Sequence, residues 1–138
     1  MTVSKMISGL AAGSISLAFS LMMLTATPAA AHHSFEAEYD GNRTATLTGV
    51  VTKVDWANPH AFIYINMKDE NGGVKDLRIE LGPPYALVRG GWKKDTVKIG
   101  DTITVEGAAL AKDPRNSWAG SLPTTFLVLP GGTKLPMR

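Results

Sequence analysis

Between Thr44 and Trp56 the chain runs for thirteen residues that include four threonines, three valines and no proline. β-Branched side chains are stiff at χ1 and pack well on a pleated surface, so a run this dense in them predicts a long strand rather than a helix. By a period of two, Val50, Thr52, Val54 and Trp56 share one face. Leu47 is out of step with that set by one residue, and Gly49 between them is expected to mark a bulge that bends the strand. Asn58-Pro59 ends the run, because proline donates no hydrogen bond to a ladder and biases its predecessor toward turn or extended geometry.

A second strand is expected from His60 to Lys68, with apolar groups on both faces as near the middle of a sheet. Asp69-Glu70-Asn71-Gly72-Gly73 then turns the chain into a third strand, Val74–Leu81, to make a hairpin. Pro83-Pro84 before Tyr85–Arg89 and Gly90-Gly91 after it frame one or two helical turns. Thr102–Glu106 alternates as a fourth strand ended by Gly107, and Thr124–Leu129 is the fifth, leading to a short return through Lys134-Leu135. Three strands in a meander, a helix and two more strands are the order of a small five-stranded OB-like β-barrel, all-β with one short helix that covers an open end. A small β-sandwich uses the same elements, since strand pairing cannot be read from one sequence.

Before Ala31 the chain holds one charged residue, Lys5, followed by an apolar stretch clearest at Ile15–Leu24 and the small-residue run Thr25–Ala31. That is the order of a secretory signal, and Ser8, Gly9, Gly13, Ser14 and Ser16 interrupt the continuous apolar length of about 20 residues that a membrane-spanning anchor needs. Ala29 and Ala31 suit the two pockets of a signal peptidase, which makes His32 the first mature residue. The expected organisation is a signal peptide over 1–31, an extended mature N-terminal segment over 32–43 and the barrel over 44–138, in a periplasmic or secreted protein. Membrane contact is then limited to the signal peptide before cleavage.

The sequence contains no cysteine, which excludes a disulfide framework, a thiolate metal site and an acylated cysteine. Of the 14 Lys and Arg, loss of Lys5 leaves thirteen against 12 Asp and Glu, with the signs interspersed, so no nucleic-acid footprint is present.

Three histidines carry the sharpest chemical signal: His32 and His33 at the expected mature terminus and His60 directly after the proline break. A terminal histidine offers its α-amine and its imidazole to one ion, and a second imidazole from the fold completes a three-nitrogen set that resembles a histidine brace for Cu(II). A cut one residue earlier places His33 third in the chain, the spacing of an amino-terminal Cu(II)/Ni(II) chelate. Met67 and Met137 are further thioether candidates, with Met67 in the apolar phase of its strand. The bland alternative is a solvated tail at His32 and His33 and a turn histidine at position 60.

Glu36, Glu38 and Asp40 share one face of an extended chain and read as a solvated edge, or as charges that neutralise a bound cation. Trp56 matches Val54 and Val50 in phase and is expected in the core. Tyr64, Trp92 and Trp118 are candidates, with it, for an aromatic floor under a sugar or peptide. Arg78 and Glu80 point to the same side of the third strand and are expected to pair with each other or across the sheet. Ser34 lacks an orienting acid and an oxyanion donor pair, and the chain shows no phosphate loop, paired-carboxylate signature or dinucleotide fingerprint, so no catalytic residue is assigned.

The residues His32-His33-Ser34-Phe35, Leu47-Thr48-Gly49 with Trp56-Ala57-Asn58-Pro59-His60, and Glu80-Leu81-Gly82 together resemble an exported bacterial family catalogued as a domain of unknown function, number 6152. The resemblance spans nearly the whole mature chain and implies a signal peptide and a small β-barrel-like domain, with no activity, substrate or ligand attached. The chain departs from the family pattern near Lys112–Ser121, which reads as a variable loop.

The function expected from these residues is a small exported binding module, not an enzyme, that holds copper through His32 with His60 or His33. The alternative is a non-metal module docking a peptide, glycan or membrane-protein partner. A copper oxidase or oxygenase needs an open coordination position and a substrate surface, neither of which a sequence displays.

Overall fold

The structure, a computed structural model, describes residues 35–116 and 118–138. A one-turn helix, α1 (Phe35–Glu38), leads into strand β1 (Tyr39–Asp55), followed by β2 (Phe62–Lys68), β3 (Val74–Glu80), helix α2 (Pro84–Arg89), β4 (Thr102–Ala111), β5 (Trp118–Gly120), β6 (Phe126–Val128) and β7 (Lys134–Pro136). Neighbouring strands run β1-β2-β3-β5-β4, and β4 pairs back onto β1, so five strands close into a barrel with β6 and β7 appended beside β4. All the barrel contacts are antiparallel except β3 with β5. This is the expected OB-like barrel, and closure through β1 and β4 excludes the sandwich.

The long first strand is what permits closure. Its first part, from Tyr39 to Val50, pairs with β4, and its second, from Val50 to Asp55, pairs with β2. Its inward face differs from the expected one: Leu47, Gly49 and Val51 are buried, while Val50 and Thr52 face outward. The phase changes at a register shift between Val51 and Lys53, after which Val54 and Trp56 pack against the core. The bend expected at Gly49 thus lies three residues later. Gly49 instead admits a close neighbour, because a Cβ there would sit 2.6 Å from the Asn66 carbonyl oxygen.

β1 also begins five residues before Thr44, since Tyr39 pairs with Ala111 of β4 and carries its ring into the interior. α1 replaces extended chain at Phe35–Glu38, so Glu36 and Glu38 do not form the expected one-sided row with Asp40.

Ile63, Ile65, Ile79, Ile103, Val105 and Leu127 fill the barrel, each at most 1% exposed, and burial of such a side chain stabilises by about 1.5–3 kcal/mol. Leu87 of α2 joins this core, which fixes the helix against the barrel. β4 does not end at Gly107; a positive φ of 73° lets the strand pass through that residue and exchange β6 for β5 as its second neighbour. Buried Thr125 locks the crossing, its hydroxyl donating to the Gly107 carbonyl and accepting from the Leu122 amide. The fifth barrel strand is therefore Trp118–Gly120, inside the stretch expected to be a variable loop, and Thr124–Leu129 supplies β6 of the appended hairpin.

Candidate functional site

The hairpin of β2 and β3 holds Phe62 opposite Glu80 and Tyr64 opposite Arg78. Glu80 does not pair with Arg78. Its two carboxylate oxygens are taken by residues from elsewhere in the chain: the Tyr39 hydroxyl donates to Oε2 at 2.7 Å, and Nδ1 of His60 lies 2.6 Å from Oε1. Tyr39 comes from the start of β1 and His60 from the loop after the Asn58-Pro59 peptide, which is cis. One carboxylate thus joins three segments.

The Glu80 side chain is 17% exposed and that of His60 is 35% exposed. Burial, then the hydrogen bond and the charge of Glu80, push the Tyr39 phenol well above its ordinary range, so Tyr39 stays a proton donor to the carboxylate. With Nδ1 of His60 directed at Oε1, Nε2 is the ring nitrogen left for a further ligand.

Phe35 roofs this network. Its ring lies 4.8 Å from that of Tyr39, tilted by 33°, and the Arg138 guanidinium sits 5.1 Å over it while donating to the Ser121 carbonyl. Gly120 makes the arrangement possible, because a Cβ there would come within 2.6 Å of the Phe35 ring and 2.9 Å of the Tyr39 ring.

Arg78 lies instead between aromatic rings, its guanidinium carbon 3.4 Å from the Trp118 centroid and 4.7 Å from that of Phe62. Its Nε is buried with no hydrogen-bond partner, which costs about 1–3 kcal/mol, and the ring contacts return about 0.5–2 kcal/mol. Lys53, Tyr64, Arg78 and Trp118 are successive register partners on β1, β2, β3 and β5, so cation and ring alternate across the outer face. Lys53 Nζ stands 5.0 Å over Tyr64.

Of the expected metal ligands, His60 takes its place beside Glu80, whereas His32 and His33 lie outside the described residues, as does Ser34. Among the described residues no group of three or more His, Cys, Asp or Glu side chains is placed to hold a metal ion. Met137 is fully buried, and Met67 is partly buried and packs against the core. The four aromatic candidates divide. Trp56 packs on the core, and Trp92 is buried with its indole N–H donating to the Pro136 carbonyl at 2.7 Å, while Tyr64 and Trp118 stand on the outer face. Phe35 is marked only as the end of the His-His-Ser-Phe start and Tyr39 by no local pattern; Tyr39 meets Glu80 across 41 residues of chain.

Among the described residues no helix is long and apolar enough to cross a membrane. No curated protein and no solved structure matches the chain. A family model matches residues 20–118, from before the histidine pair to the first residue of β5, and so takes in Phe35, Tyr39, His60, Glu80 and Trp118. The chain belongs to the family of unknown function DUF6152.

Proposed function

We propose that this protein is exported through a cleaved signal peptide, resides in the periplasm or outside the cell, and is a binding module for Cu(II). The ion is held by Nε2 of His60 with amine and imidazole donors from His32 and His33. The observation that carries this reading is the Glu80 carboxylate 2.6 Å from Nδ1 of His60. A carboxylate on one ring nitrogen orients a metal-binding histidine and fixes its tautomer. Tyr39 holds the same carboxylate through its second oxygen, so His60 is aimed before any ion arrives.

Amine and imidazole donors suit Cu(II) best among common divalent ions. The charged, apolar and small-residue order of residues 1–31 supports export.

Mass spectrometry of the native protein should find His32 as the first residue and report any retained metal. In a Cu(II) titration, Glu80→Gln is expected to weaken binding by about 10–100-fold, and His60→Ala by at least as much. Unchanged affinity in the paired His32→Ala and His60→Ala variant ends the copper reading and leaves export standing.

A further inference from the structure

Trp118 stands where the row of cations and rings meets a cleft of about 300 Å³. Arg78 covers the indole from one side at 3.4 Å and is itself backed by Phe62, so the ring is held as a fixed platform rather than a free surface side chain. Its apolar lining is small: Ala111 of β4, which is buried, and Ala37 of α1, which is exposed. Its rim carries the Asn116 amide, the Asp113 carboxylate and the Lys112 ammonium.

These polar groups are already positioned. Lys112 Nζ donates to the Glu36 carbonyl, and Asp113 receives both Nε and Nη2 of Arg115, at 3.0 Å and 2.8 Å. The guanidinium holds the Asp113 carboxyl below its usual range, so it remains an acceptor.

The volume lies at the low end for small-molecule sites and admits one ring. An indole platform, a small apolar lining and planar amide and carboxylate groups on the rim match the two surfaces of a sugar ring, its C–H face and its hydroxyl edge. The carboxylates Glu38 and Asp113 are balanced by Lys112 and by the Arg115 guanidinium on Asp113, so the rim carries no net charge to select an ionic ligand. We propose that the Trp118 cleft binds a single neutral pyranose residue, independently of the metal reading at His60.

The test uses the full chain and a panel of methyl pyranosides of glucose, galactose and mannose with N-acetylglucosamine, titrated to roughly tens of millimolar with NMR detection of the Trp118 indole. At least one sugar should bind saturably, with affinity roughly ten-fold lower in Trp118→Ala and largely restored in Trp118→Phe. Asn116→Ala, on the exposed rim, should weaken binding in a chain whose melting temperature is unchanged. His60→Ala should leave sugar binding intact. Absence of binding across the panel, equal binding by Trp118→Ala, or binding confined to glucuronate or an oligonucleotide overturns the proposal.

Discussion

Replacing Tyr39 by Phe removes one oxygen from a residue that is 2% exposed and leaves its ring, and the ring's contact with Phe35, in place. The loss is the 2.7 Å hydrogen bond to Glu80, and a bond to a charged acceptor is worth about 1.5–3 kcal/mol. Below about pH 9 that difference should be constant, because the phenol is protonated in both the folded and the unfolded chain. The folded phenol titrates well above the ordinary value of about 10, so above that pH the unfolded state gives up its proton while the folded state keeps it. Wild-type stability therefore falls with rising pH by an amount that reaches about 1.4 kcal/mol at pH 11, and Tyr39→Phe lacks this loss.

Lysine titration is common to both proteins and cancels in the difference. Urea unfolding at pH 7, 9, 10 and 11, followed by tryptophan fluorescence, measures it. The gap between wild type and variant should stay near its neutral value to pH 9 and shrink by about 1.4 kcal/mol by pH 11. A gap below about 0.5 kcal/mol at neutral pH, or one that does not narrow in alkali, refutes the placing of the hydroxyl against Glu80.

Gly120→Ala drives a methyl group into the Phe35 and Tyr39 rings and should cost about 1–3 kcal/mol, with weaker Cu(II) binding because Tyr39 can no longer hold Glu80; thermal unfolding and a metal titration report the two effects. Thr125→Val leaves the Leu122 amide and the Gly107 carbonyl without their partner in a fully buried position, and a loss on the order of 2–5 kcal/mol is expected in denaturant unfolding.

The parts of the fold that were readable in advance are those whose signal is local. The hairpin of β2 and β3 was announced by alternation on both sides of an Asn-Gly-Gly turn, and α2 by prolines before it and glycines after it. β5 carries no such signal: three residues, one of them glycine, follow an Asp-Pro turn, and only their pairing with β3 on one side and β4 on the other makes them a strand. The inward phase of β1 differs from the expected one because a register shift against β2 follows Val51, which a single-strand period cannot contain.

The site divides in the same way. His60 stood out beside its proline, and Glu80 was noticed with Arg78 as a same-face pair. The pair does not form, because Tyr39 and His60 satisfy the carboxylate more completely and Trp118 and Phe62 offer the guanidinium two rings. Those partners, Tyr39, His60, Trp118 and Phe62, arrive from positions 41, 20, 40 and 16 residues away, distances at which no local pattern operates.

The parallel contact of β3 with β5 is only three residues long, yet without it the cylinder is a curled sheet with two raw margins. A chain interrupted before Trp118 would present the backbone of β3 on one side and the outer half of β4 on the other, each able to capture a strand from a second molecule. Self-association and proteolysis should therefore concentrate on chains that stop short of residue 120.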